Sequence, residues 1–176
     1  MASLTDAGFV EMRLGKVVGF GPGLSAENTS FCVVLEGTSP DVQLPIEIGE
    51  TEAFTLSATL TGIQFARPMG PQFAAGLLHA LGGSVRQVRI DRLVEVRRGT
   101  AYGATVEVAG PSGVELVDAR PSDALNLAAL QLAPIAVAPE VLADAQARLE
   151  GDSPEAIRLR CALEAEQMAI QPSPSG

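Results

Sequence analysis

At 176 residues the chain is long enough for one ordinary domain with a real core and too short for two comfortable ones. A hydrophobic fraction of 47% with positive mean hydropathy excludes disorder as the main state, and no apolar run approaches the ~18 residues of a membrane span, so a soluble protein is expected. The formal charge of -9 opposes non-specific nucleic-acid binding, which depends on neutralising phosphates with lysine and arginine.

Residues 1–6 lack the basic-then-apolar pattern of a secretory signal, which makes a cytoplasmic location the expectation. Strands are predicted over 9–20, 31–36 and 42–48, with Gly21-Pro22-Gly23 breaking the first from the second. A buried helix follows over 50–60, where Ala53, Phe54, Leu56, Ala58 and Leu60 are apolar and Gly62 marks the stop. After Arg67-Pro68 a second helix spans 71–81 and ends at Gly82-Gly83. Three more strands, 85–96, 101–108 and 114–118, are separated by turns at Arg98-Gly99-Thr100 and Gly110-Pro111-Ser112-Gly113. Proline suits the first helical position, so Pro121 opens a helix over 121–132 and Pro139 another over 139–149, with a short strand at 133–138 between them. Ser153-Pro154-Glu155 reads as cap, first turn and dipole-favouring acid of a last helix that frays near Ile170, leaving a disordered tail at 171–176.

The chain matches itself at an offset of 71 residues. The shift lays Phe31 to Glu36 over Tyr102 to Glu107, Ile46-Glu47 over Val117-Asp118, Glu52-Ala53 over Asp123-Ala124, and Leu56 over Leu127. Strands in threes followed by helices, twice over, predict an α+β fold: duplicated β-β-β-α units with mostly antiparallel strands, sharing one core, plus a C-terminal helix. The domain is placed at 1–149, with repeat halves of about 9–70 and 84–149, and the helix and tail at 150–176.

Chemistry concentrates in Asp118-Ala119-Arg120-Pro121-Ser122-Asp123-Ala124, a strand end, turn and helix start. Asp118 and Asp123 offer oxygens to a hard divalent cation, and the planar fork of Arg120 suits a phosphate. The first copy supplies Glu47, Glu50 and Glu52 at the equivalent place. A pseudo-axis bringing the two helix starts together would gather Glu47, Glu52, Asp118 and Asp123 into a cluster able to bind metal and activate water. The same acids also suit plain capping of a first helical turn, and Arg120 also suits a local pair with Asp118 or Asp123. Arg86, Arg89, Arg92, Arg97 and Arg98 read either as a solvated hairpin surface or as a nucleic-acid footprint. His79 is the single histidine, and Cys32 and Cys161 are scattered thiols read as reduced, so the usual zinc sites are out of reach.

These residues carry a resemblance. Leu44-Pro45-Ile46-Glu47-Ile48-Gly49 with Glu52-Ala53, Arg67-Pro68, Leu81-Gly82-Gly83, and the Asp118 to Ala124 string with Ala133-Pro134-Ile135 resemble the bifunctional nuclease family, also described as a domain of unknown function. The resemblance covers about 9–149 and implies hydrolysis of phosphodiester bonds in DNA and RNA. It carries over Glu52, Arg67, Asp118, Arg120 and Asp123 as candidate site residues; the residue chemistry then makes Asp118, Asp123, Arg120 and Glu52 the catalytic candidates, with Asp118, Asp123 and Glu52 holding Mg2+ or Mn2+. In the nuclease reading Arg67 grips the phosphate with Arg120, and the hairpin arginines Arg86, Arg89, Arg97 and Arg98 guide a nucleic-acid strand; self-association into a homo-oligomer through the apolar sheet or helix faces is expected from the residues themselves. One departure stands out: after the Arg-Pro pair the family shows Leu-Thr-His-Asp-Leu, and this chain has Met69-Gly70-Pro71-Gln72-Phe73. The alternative is therefore an inactive member working as a ligand- or protein-binding regulatory module.

Overall fold

The computed structural model describes residues 8–21, 29–39, 42–97 and 99–169, with 166–169 as backbone alone. The chain forms β1 (Val10–Phe20), β2 (Ser30–Glu36), β3 (Gln43–Ile48), α1 (Glu50–Leu60), α2 (Gly70–Ala80), β4 (Ser84–Val96), β5 (Gly99–Gly110), β6 (Gly113–Ala119), α3 (Pro121–Gln131), β7 (Ile135–Val137), α4 (Pro139–Glu150) and α5 (Pro154–Ala169). Part of the predicted first break, Arg98 and the tail at 171–176 lie outside the described residues.

All seven strands share one sheet in the order β3-β2-β1-β7-β4-β5-β6. Each meander, β1-β2-β3 and β4-β5-β6, is antiparallel and is followed by a helix. β7 joins the two halves, pairing antiparallel with β1 and parallel with β4. Its three residues are all buried, which is why Ile135, Ala136 and Val137 read as an uninterrupted apolar run.

Strand alternation distributes the core. In β2, Val33 and Leu35 enter the main cluster with Leu56 of α1, while Cys32 and Val34 pack with Val18 of β1 and Leu163 of α5. In the second meander Val88, Ile90, Ala104 and Val106 enter the same main cluster with Leu125 and Ala128 of α3. The main cluster thus takes residues from both meanders. The final helix begins as the sequence indicates, with the Ala156 N–H donating to Ser153 Oγ at 3.0 Å. No described helix is long and apolar enough to cross a membrane.

Candidate functional site

Two helix starts lie side by side. α1 and α3 pack together, and the buried Asn126 amide donates to the Ser122 carbonyl at 3.0 Å and to the Glu52 carbonyl at 3.3 Å. That second bond ties the first turn of α1 to α3. Glu52 and Asp123 each occupy the third position of their helix, and the packing of α1 on α3 brings these two acids to one place.

Arg120 joins them. It is the N-cap of α3, held extended at φ -72° and ψ 147°, with Pro121 fixing the first turn behind it. Its guanidinium donates from Nε to Asp123 Oδ2 at 2.8 Å, and from Nη2 to Asp123 Oδ1 at 3.0 Å and Glu52 Oε1 at 2.9 Å. Both carboxylates thus have the arginine as a partner across the helix starts. Gly49 makes the geometry possible, because a Cβ there would collide with the Glu52 carboxylate. The hydrogen bonds that Arg120 donates, to Asp123 first and Glu52 second, push its pKa further up. The Arg120 side chain nevertheless remains 66% exposed, open to an incoming anion.

Asp118 does not join this cluster. Register places it opposite Thr105, which pairs in turn with Arg89, whereas the alternate positions Val106 and Ala104 face the core beneath α3. Strand alternation therefore sends Asp118 to the other face of the sheet, where Arg92 donates to it. Arg92 also reaches Asp91 at 2.6 Å, Thr105 Oγ1 at 3.1 Å and the Ala104 carbonyl at 3.3 Å. Gly103 leaves room for that side chain, since a Cβ would lie 2.7 Å from Arg92 Nε.

Glu47 is separated too. It lies on β3, where it lines a cavity of about 530 Å³ with Cys32, Tyr102 and Arg148. This second cluster escaped the sequence reading: Tyr102 OH donates to Asp144 Oδ2 at 3.0 Å, and Arg148 pairs with Asp144 at 2.6 Å while lying over the Tyr102 ring. The four-residue spacing of Asp144 and Arg148 on α4 was the only signal available.

The arginines of the β4 hairpin are largely engaged within the sheet. Arg89 contacts Glu107 at 3.3 Å and lies over the Phe9 ring, and Arg86 lies 3.6 Å from Glu107. Arg97 is exposed, and Arg98 lies outside the described residues. Arg67 is exposed in the segment after the C-terminal end of α1, whereas Arg120 caps the N-terminal end of α3. The departing segment also sits at that far end: Gln72 shares a groove with Thr59 of α1 and Leu130 of α3. Thr59 is seven positions along α1 from Glu52, roughly 10 Å at helical rise.

Among the described residues no three His, Cys, Asp or Glu side chains form a group that could hold a metal ion. Glu52 and Asp123 are joined through Arg120, which takes Glu52 Oε1 and both Asp123 oxygens, and Asp118 is held by Arg92. This arrangement does not fit Mg2+ or Mn2+ on the expected three carboxylates.

Comparison with known proteins bears on what the cluster is for. An uncharacterized protein of Mycobacterium tuberculosis is 32% identical over 123 residues, covering 70% of this chain and 71% of its own length. Bifunctional nuclease 1 and Bifunctional nuclease 2 of Arabidopsis thaliana are each 35% identical over 97 residues, covering 53% of this chain and 29% and 28% of their own lengths. The sequence model of the Bifunctional nuclease domain matches residues 33–150, a stretch that holds Glu52, Asp118, Arg120 and Asp123 together with both helices that build the cluster. On that match the chain belongs to the bifunctional nuclease domain family.

Proposed function

We propose that this protein cleaves phosphodiester bonds in DNA or RNA at the cluster of Arg120, Glu52 and Asp123. The observation that carries the reading is one exposed guanidinium held between two carboxylates at the starts of two packed helices. A phosphate arriving there meets a planar cationic donor and the positive ends of two helix dipoles. As Arg120 turns toward the non-bridging oxygens, a carboxylate of Asp123 or Glu52 is released to accept a proton from water. The water oxygen bonds to phosphorus, the bond from phosphorus to the leaving oxygen breaks, and that oxygen takes a proton from solvent. Metal assistance by Mg2+ or Mn2+ would require displacing Arg120 from both acids.

Family membership supports this reading, as do the printed names of the Arabidopsis relatives. The internal duplication is part of the proposal: α1 and α3 begin and end 71 residues apart, each behind a three-stranded meander. A second reading, a family member that binds an anionic ligand without turning it over, is favoured by the replacement of the family's His-Asp pair with Pro71-Gln72.

The test is digestion of end-labelled DNA and RNA oligonucleotides by the wild type, Arg120→Ala and Asp123→Asn, each with chelator, Mg2+ or Mn2+. Cleavage by the wild type that both substitutions suppress supports the first reading. Absence of cleavage under every condition, with retained binding that Arg120→Ala abolishes, selects the second. Cleavage unaffected by either substitution removes the cluster from both.

A further inference from the structure

The cavity that Glu47 borders is large enough for a ligand of its own. Its volume of about 530 Å³ falls within the range of small-molecule pockets, and elements far apart in the chain build it. One wall is the face of the first meander turned away from α1. There Cys32 stands opposite Glu47 in the β2–β3 register, and Phe20 opposite Ser30 in the β1–β2 register. The turn from α4 into α5 supplies Leu149, Asp152 and Glu155, and Tyr102 of β5 also borders the space.

The lining charges are unequal. Glu47, Asp152 and Glu155 are exposed carboxylates, and Arg148 is the one basic group among the described lining residues. That guanidinium is already committed: it pairs with Asp144 at 2.6 Å, donates to the Thr100 carbonyl at 2.8 Å and lies over the Tyr102 ring. The start of α5 offers an anion little. Pro154 has no N–H, and the Ala156 and Ile157 N–H groups donate to Ser153 Oγ and to the Ser153 carbonyl, each at 3.0 Å. The cavity therefore favours a cation.

Spacing decides which kind of cation. A hard metal ion needs several oxygens converging on one point, and no three His, Cys, Asp or Glu side chains among the described residues form such a group. Phe20, Pro45 and Leu159 give the same cavity apolar surface that a metal ion cannot use and a hydrocarbon chain can. Separated carboxylates around an apolar lining match ammonium groups separated by methylenes.

We infer that this cavity binds an aliphatic polyamine, its ammonium groups meeting Glu47, Asp152 and Glu155 and its methylene segments lying against Phe20, Pro45 and Leu159. The inference does not rest on the nuclease reading, because none of Glu52, Arg120 and Asp123 lines the cavity.

Calorimetric titration of the full chain with spermidine tests it, with backbone amide chemical shifts followed in parallel. The wild type is expected to bind at a single saturable site, with shifts concentrated at Cys32, Ala145 and Ala156. Glu47→Gln with Glu155→Gln removes two exposed carboxylates and should weaken binding roughly fivefold or more, with circular dichroism verifying the fold. Glu115→Gln on the edge strand β6 should leave the affinity unchanged. Absence of saturable binding, or shifts spread over acidic groups outside the cavity, overturns the inference. So does an equal loss of affinity in Glu115→Gln, or displacement of spermidine by an equal concentration of Mg2+, since either would mean attraction to the net charge of -9 alone.

Discussion

Arg120 Nη2 and Glu52 Oε1 stand 2.9 Å apart although 68 positions separate them in the chain, and this bond closes the space between the starts of α1 and α3. Because Arg120 is two-thirds exposed, the bond contributes little to folding, about 0–1 kcal/mol after solvent screening. Arg120→Ala should therefore leave urea denaturation almost unchanged. If the arginine stabilises the phosphoryl transition state, the same variant loses roughly a hundredfold or more in cleavage rate. A large stability loss would instead make Arg120 a structural strut.

Asp118 and Asp123 are five residues apart and should behave differently. Asp123→Asn removes a proton acceptor from the cluster, with an expected rate loss of roughly 10²–10⁴-fold. Asp118→Asn only loosens the largely exposed pair with Arg92 on the other sheet face, so cleavage should stay near wild type and stability within about 1 kcal/mol. Equal rate losses in single-turnover digestion would return Asp118 to the active site.

The legible part of this architecture lies where local rules act alone. Proline at helix starts, glycine after α2 and alternating strands mark most element boundaries, and the 71-residue offset aligns Glu52 with Asp123 in the sequence itself. Placement across the sheet was less accessible. Whether Asp118 faces α3 or the opposite side depends on the register of β6 against β5, a long-range property. β7 was legible as a strand, but its slot between β1 and β4 depends on pairings with distant residues. The Tyr102–Asp144 bond likewise links β5 to α4 across 42 positions, with nothing local to announce it.

Asn126 is fully buried, and its amide is what holds α3 to the Glu52 backbone. Asn126→Ala should cost roughly 1–3 kcal/mol, because the carbonyls of Glu52 and Ser122 lose a donor in a dry setting. It should also lower cleavage, since the two carboxylates would no longer be held at a fixed separation. Leu125→Ala, next along the helix and equally buried, costs roughly 2–5 kcal/mol through its cavity and serves as the comparison, losing stability with a smaller effect on rate at low temperature.

The two thiols and the single tyrosine give a pH test with a definite sign. Cys161 is exposed and Cys32 buried, so a thiol reagent should titrate one group in the native protein and both after unfolding. Burial pushes the Cys32 thiol up from 9.0 to about 12, with Glu47 adding to the shift. Below pH 9.0 the thiol is protonated in folded and unfolded chains alike, and its contribution to stability is fully present. Between 9.0 and about 12 the unfolded chain releases a proton that the folded chain keeps, so stability falls as pH rises, by at most about 1.4 kcal/mol per pH unit. Burial also raises the Tyr102 phenol, with the hydrogen bond to Asp144 acting in the same direction, and this adds a loss of the same sign above the ordinary tyrosine range. Cys32→Ala should flatten the first part of the alkaline decline measured by urea denaturation, and Tyr102→Phe the later part. A decline unchanged by Cys32→Ala would mean that the thiol ionises freely in the folded protein and that the space around it is open to solvent.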